Sequence, residues 1–469
     1  VSRERDPAQR AALILAHLLF AGLLVLAWKH AVARMVHVDS AWQFFQWTQR
    51  DGITVEAHRY TAMLPQLLVK AGMALGLSLG ALLVLASVAH VLVGLGVFLV
   101  CAHLLKAPRA ALACALATVL CTRLAFYGPV LEANQLTAYP FLLLALLERY
   151  PAPWAWHHRA LALVLLAPPL LVHPVGWAVM AAALAFLFAW SPGQRRELGW
   201  LMAACLVWGL AARVVLPPTA YEAGLYGSLA RAAGDGGPGG AWASWRFLVD
   251  HSGCATAHFV PVWTVMLALV VALVRGRRWW VLGVLAGGWG AYIAVNLATY
   301  AGGEHALMME KNFVPLATLV ALPAITVAWG TTGLTRWACL LALALLLFAK
   351  FRDIAFAGRP AEQRISALRT ALAWSPADRL ILDHADLQRI GIGVHWALPF
   401  ETLLITALDG PEKARTAVCA TETGVRPGDM DLWLGALGPR FPADRLNGRY
   451  YRMGLGGYVD VASSSPGMP

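Results

Sequence analysis

From residue 11 to residue 350 the chain is a ladder of apolar runs separated by short polar rungs. The runs fall at roughly 11–30, 80–104, 110–127, 136–148, 159–172, 174–190, 198–216, 258–274, 280–298, 312–329 and 335–350. A helix that crosses a bilayer needs about 20 mostly apolar residues. Backbone polar groups in hydrocarbon must be satisfied within the segment, and a helix does this. The pattern predicts an α-helical polytopic membrane protein with eleven spans. Composition agrees: 59% of residues are hydrophobic and 13% charged, against about 45–50% and about 25% in soluble domains. The first run, Ala11 to Ala27, is long and lacks a small-residue cleavage site, so it reads as a membrane helix and not as a cleaved signal. Residues 61–79 carry Pro65, Gln66 and Lys70, and fit a helix lying at the membrane surface better than a twelfth span.

The rungs set an orientation. Lys106 and Arg109, Arg149 and Arg159, Arg195 and Arg196, the Arg275, Arg277 and Arg278 group, and Arg336 all fall on one face of an eleven-span chain, with Arg3, Arg5 and Arg10. The positive-inside rule makes that face cytoplasmic. The net charge of +11 is therefore a topology signal, and nucleic acid is not an expected partner. Many of the 20 Trp residues suit the membrane interface. Against the rule, the first outer loop carries Arg34, Arg50 and Arg59, so those cations need a role there.

These spans define a membrane domain, residues 1–350, with outer loops 31–79, 217–257 and 299–311. Hydropathy falls after residue 351, and residues 351–469 read as a small soluble α/β domain outside the cytoplasm. Its apolar runs are Leu380–Leu382, Ala417–Cys419 and Tyr458–Val461, with a helical stretch around 396–408. The Gly234–Gly240 stretch lacks the GK[ST] ending of a phosphate loop. Five of the seven cysteines lie in apolar runs as packing residues. Cys254 and Cys419 lie in polar segments on the outer side, where a disulfide can persist, and are expected to be close enough to bridge.

Polar groups concentrate at four places on the outer face. The first loop holds His37, Asp39, Trp42, His58, Arg59 and Tyr60. A second carries Glu132 and Gln135, a third His173 before Pro174, and a fourth Glu304, His305, Glu310 and Lys311. Charges at membrane depth are costly and tend to mark function. Each also has a plainer reading: Asp39 as a helix cap, Arg59 as a snorkelling side chain, Glu132 as a solvated loop acid, His173 as a turn residue, and Lys311 as an interfacial anchor.

A first helix, a long outer loop opening with the acidic Asp39, an amphipathic stretch, a many-span body and an outer C-terminal domain together resemble the GT-C superfamily of membrane glycosyltransferases. The resemblance covers the architecture of the whole chain; at residue level it rests on the first outer loop. It implies Asp39 as catalytic base or metal partner. The family often shows two adjacent acids there, whereas Asp39 is followed by Ser40, so Glu132 is the candidate for a second carboxylate. A divalent cation, Mg or Mn, would sit between the two. The implied donor is a polyprenyl-phosphate-linked sugar and the implied acceptor a glycan, lipid or protein at the outer face of an inner membrane. Arg59, Lys311 and His58 are expected at the donor phosphate, since Arg suits bidentate phosphate contact. His37, Trp42, Tyr60, Gln135, His173, Glu304, His305 and Glu310 are expected around the substrates. Two other classes remain: a transporter or flippase for lipid-linked material, and a non-catalytic component of an envelope assembly. A transporter favours inverted repeats and broken helices at mid-membrane; Pro168–Pro169 would break a helix but has no counterpart elsewhere.

Overall fold

The computed structural model describes residues 7–55, 58–130, 132–217, 223, 227, 258–299, 306–393, 396–419, 446–454 and 456–461. Its helices are α1 (Pro7–Lys29), α2 (Ala31–Met35), α3 (Val38–Gln49), α4 (Leu64–Ala74), α5 (Leu79–Leu99), α6 (Pro108–Leu120), α7 (Pro140–Arg149), α8 (Trp156–Val172), α9 (Gly176–Trp190) and α10 (Arg195–Val215). There follow α11 (Val260–Arg275), α12 (Trp279–Thr299), α13 (Ala306–Phe313), α14 (Leu316–Trp329), α15 (Gly333–Leu372), α16 (His384–Arg389) and α17 (Leu398–Ala407). The strands are β1 (Arg379–Leu382), β2 (Thr416–Cys419) and β3 (Val459–Asp460).

The protein is α-helical. Among the described residues three helices are long and apolar enough to cross a membrane: Pro7–Lys29, Leu79–Leu104 and Glu310–Trp329. The pair α9 and α10 passes the same test as one unit, but bends by 116° at its break. Ser78 caps α5, accepting from the Ala81 N–H at 3.4 Å, and a π-turn at Val100–Leu104 extends that helix. Proline opens α6 and α7, at Pro108 and Pro140, where a missing N–H removes nothing the helix needs.

The bundle is built around α6 and α14, which lie against each other and are buried along most of their length. Their small residues, among them Ala111, Ala113, Ala115, Ala317 and Ala321, allow close backbone approach. Helix α1 packs on α5 and α15, and α9 on α10 and α12. Trp289 Nε1 donates to the Leu319 carbonyl at 3.0 Å, and Thr318 Oγ1 to the Leu136 carbonyl at 2.7 Å. Outward-facing Leu18, Val25, Val207, Leu210, Leu341 and Phe348 are left exposed. That apolar coat needs lipid or a partner to cover it.

Within residues 31–79, α2 and α3 are helical where a loop was expected, and α4 lies in the 61–79 stretch where a surface helix was expected. Phe44, Phe45 and Trp47 of α3 are buried, so the segment folds inward as an amphipathic helix. Helix α4 is 11 residues long, too short to span hydrocarbon. It buries Pro65, Gln66 and Val69 and leaves Leu64, Leu67 and Leu68 outward.

A domain boundary at 350/351 falls inside a helix. Helix α15 runs unbroken for 40 residues, through Pro360, and delivers the chain directly to β1. The sheet has order β2-β1-β3, with both neighbours parallel to β1. Register pairs Arg379 with Thr416, Leu382 with Cys419, and Leu380 with Val459. Helix α17 covers the sheet; Thr402 Oγ1 accepts from the Ala417 N–H at 2.9 Å. The same helix seats the unit on α3, through Trp42 and Phe400 rings 4.6 Å apart. Tyr451 hydroxyl meets Thr48 Oγ1 at 2.5 Å, and Asn447 Nδ2 donates to the Thr48 carbonyl at 2.8 Å. Cys419 is buried on β2, whereas Cys254 lies outside the described residues, as does the Gly234–Gly240 stretch.

Candidate functional site

Helix α3 organises the site. His37 is extended, Val38 sits at φ 42°, and α3 begins with Asp39 in its first turn. Residues four apart on a helix share a face, so Asp39 and Gln43 point the same way. Asp39 Oδ2 receives Lys311 Nζ at 2.8 Å. Gln43 Nε2 donates to Glu132 Oε1 at 3.1 Å, and Arg59 Nη1 donates to Glu132 Oε2 at 2.7 Å. Asp39, Arg59, Glu132 and Lys311 thus form two ion pairs joined by one turn of α3.

The four side chains differ in access. Lys311 is 4% exposed and Asp39 34%, while Arg59 and Glu132 lie between buried and half-buried. Asp39 is the carboxylate that water or a hydroxyl can reach. Its second oxygen takes no hydrogen bond from the described residues. The short 3-10 turn Tyr60–Met63 holds Arg59 in place: Thr61 Oγ1 donates to the Pro168 carbonyl at 2.9 Å, and Tyr139 hydroxyl donates to the Thr61 carbonyl at 3.0 Å. Pro168 therefore serves as a docking point for this turn.

The remaining candidates are distributed around this centre. His173 Nδ1 accepts from the Val175 N–H at 3.2 Å. Removal from water, aided by the nearby Arg59 charge, pushes its imidazole down to about 3. His58 stacks on Tyr60 with ring centroids 6.5 Å apart, and Tyr60 is exposed. Gln135 is buried and faces a cavity of about 80 Å³ inside the bundle, together with His90, Asn134 and Arg34. Trp42 lies against Phe400 and Trp396, and His37 meets Glu401 at 3.2 Å; both face the C-terminal unit. Glu310 accepts backbone N–H groups of Arg123, Leu124 and Ala125 at 2.5, 2.8 and 2.7 Å, and so anchors the helix that carries Lys311. Glu304 and His305 lie outside the described residues.

The donor set does not suit a divalent cation. Asp39 already faces Lys311, and both oxygens of Glu132 are taken by Gln43 and Arg59. Among the described residues no three His, Cys, Asp or Glu side chains converge as metal ligands. Hard cations such as Mg take oxygen ligands and water, not ammonium or guanidinium neighbours.

Sequence reasoning missed a second charged cluster. His258 Nδ1 lies 3.0 Å from both Asp353 Oδ2 and Lys350 Nζ, and its Nε2 is 3.5 Å from Glu310. Arg123 Nε reaches Asp353 at 3.1 Å. The spacing of Lys350 and Asp353, three apart at the end of an apolar run, was the available signal. Arg34 is also taken up internally. Its Nε donates to the Phe126 carbonyl at 2.8 Å, its Nη1 to Ser87 at 3.1 Å, and its guanidinium lies 3.9 Å from the Phe126 ring centroid. The excess cation of the first loop is thus partly a tie for the 124–127 turn.

Comparison with known proteins finds no matching family model, no similar curated protein and no similar solved structure. A functional reading of this chain has to rest on its own geometry.

Proposed function

We propose that this chain is a membrane glycosyltransferase of the GT-C kind, moving a sugar from a polyprenyl-phosphate donor to an acceptor hydroxyl at the outer face. The observation that carries the reading is the pairing of a reachable carboxylate, Asp39, with buried Lys311, one helical turn from the Arg59–Glu132 pair. A hydroxyl is a poor nucleophile until a base takes its proton, and a phosphate leaving group needs cations. Both requirements meet at α3. In the proposed reaction the acceptor hydroxyl gives its proton to Asp39. Its oxygen forms a bond to the anomeric carbon as the bond from that carbon to phosphate breaks. The bonding pair leaves with polyprenyl phosphate, held by Arg59 and Lys311. One displacement inverts the anomeric centre.

The supporting topology has eleven spans, a cytoplasmic N-terminus and an extracytoplasmic C-terminal unit. The helices at the eleven apolar runs and the basic rungs between them support it. A reporter fused after residue 377 tests it: alkaline phosphatase should be active there, and an active cytoplasmic reporter would reverse the orientation and remove the site. Counted as one broken span instead of two, α9 and α10 with their 116° break would favour a second reading, a transporter or flippase of lipid-linked material. Purified protein decides between them. Asp39→Asn should lower transfer from a polyprenyl-phosphate sugar by about 10²–10⁴-fold while donor still binds. Near-normal turnover in Asp39→Asn removes the base assignment. Vectorial movement of donor without transfer by wild type establishes the transporter.

A further inference from the structure

Val38 stands at φ 42°, a left-handed conformation that a β-branched residue avoids for steric reasons. It is the residue before Asp39 and the first of α3. The N-cap position holds His37, whose side chain makes no capping bond. Helix N-termini need an acceptor for their first N–H groups, and Ser, Thr, Asp or Asn usually provides it locally. Here the acceptor comes from 363 residues further along the chain: the Val38 N–H donates to Glu401 Oε1 at 2.8 Å.

Glu401 belongs to α17 of the C-terminal unit, and its side chain is 0% exposed. The same Oε1 faces His37 Nδ1 at 3.2 Å, and Oε2 faces Arg364 Nη2, on α15, at 2.5 Å. Three elements therefore converge on one carboxylate: the turn into α3, the long helix and the covering helix of the sheet. A buried carboxylate at a helix N-terminus is stabilised by the N–H groups and the helix dipole. Its bond to Val38 in turn holds that residue where it would not rest by itself. The direction of the Cα–Cβ bond of Asp39 follows from that turn.

We propose that Glu401 is a positioning residue for Asp39, and that the C-terminal unit contributes to the site by clamping the strained turn at Val38. The inference rests on the proposed role of Asp39 as base. It requires no contact between Glu401 and substrate. It also makes a prediction that a purely structural Glu401 does not. If the clamp acts by holding an unfavourable backbone conformation, glycine at position 38 relieves the need for it, because glycine adopts positive φ freely.

The test uses full-length protein in lipid nanodiscs. Hydrogen–deuterium exchange is followed at residues 36–42 in wild type, Glu401→Gln, Glu401→Ala and the double variant Val38→Gly with Glu401→Ala. Transfer from a panel of polyprenyl-phosphate-linked sugars is measured in parallel. Exchange at the Val38 amide should rise by about tenfold or more in Glu401→Ala, as expected for a lost buried hydrogen bond. Glu401→Gln, whose amide oxygen still accepts, should show a smaller rise. Turnover should fall by about tenfold or more in Glu401→Ala with donor KM changed less than about threefold, since the base is misaligned and not the donor site. Val38→Gly should restore much of that turnover. Unchanged exchange at 36–42 in a folded Glu401 variant overturns the clamp. So does a Glu401→Ala loss of turnover that Val38→Gly leaves untouched. Should Glu401→Ala fail to fold, Glu401→Gln with and without Val38→Gly carries the same comparison. Wild type that exchanges as described and transfers no sugar leaves the clamp standing and removes the transferase reading.

Discussion

Around Glu310 and around Asp39 the same kinds of charged side chain meet to different ends. Glu310 and Lys350 are buried, and Glu310 spends both oxygens on three backbone N–H groups. His258 and Asp353 close the cluster between α11, α13 and α15. Around Asp39 the carboxylate has one partner among the described residues and stands open to water. A charge whose lone pairs are all used fixes the helices that carry it. A charge with acceptor capacity left over and a path to solvent can serve a ligand. Adjacent residues, Glu310 and Lys311, divide these duties on one helix.

The comparison can be broken by substitution. Glu310→Ala removes the acceptor for three backbone donors, that of Ala125 buried, and leaves His258 facing a gap. It should destabilise the protein by about 3–5 kcal/mol, the range for breaking a buried charged network. Thermal unfolding in nanodiscs measures this; a shift no larger than that of a surface variant would show that the cluster is not a lock. Arg59→Ala acts in the open cluster. It should weaken polyprenyl-phosphate binding by about tenfold to a hundredfold, the worth of a charge-assisted hydrogen bond. Titration with labelled donor reads it, and an unchanged affinity removes Arg59 from the phosphate site.

His173 sharpens the contrast through pH. Its imidazole is held down to about 3 in the folded protein, against about 6.5 when unfolded. Between those values the unfolded chain binds the extra proton, so stability rises with pH through the window and is flat above about pH 7. The thermal midpoint should therefore fall as pH drops below about 6.5, and His173→Gln should remove that part of the slope. Identical slopes in both proteins would contradict a neutral, partly buried imidazole. The smallest effect belongs to the rim of the C-terminal unit. Arg369 grips Asp409 at 2.6 and 3.2 Å. The hydrogen bond from Arg369 is the main cause holding the Asp409 carboxyl below its usual range. Both side chains are well exposed, so Asp409→Asn should cost about 0.2–1 kcal/mol. That contribution is present above about pH 4 and lost on further acidification; a pH-independent difference would assign it to packing instead.

The apolar runs were legible because hydropathy reports the preferred solvent of each segment, and helices do occupy those runs. The end of α15 was not legible for the same reason. Hydropathy changes at residue 351, but the helix continues in a mixed sequence to Leu372. Helix α3 was not read from the polar residues around it; the spacing of Phe44, Phe45 and Trp47 already described one buried helical face. The grouping of Asp39, Arg59, Glu132 and Lys311 on one side followed from counting spans, yet who pairs with whom did not. Lys311 and Asp39 are 272 residues apart, and only the fold brings them together. Glu401 gave no sign of its role, since an acid in an apolar helix of a separate region looks like a surface residue until its partners are known.

The length of α15 has a mechanical consequence. Its 40 residues make a rod about 60 Å long, roughly twice the thickness of bilayer hydrocarbon. Such a rod is a lever arm: leaning one end by about 5° carries the other through about 5 Å, given that length. Pro360 interrupts its ladder of internal bonds one turn before Arg364, which places the compliant point of the arm next to its grip on Glu401. A push on the sheet end of the arm would then be felt first beside the turn at Val38.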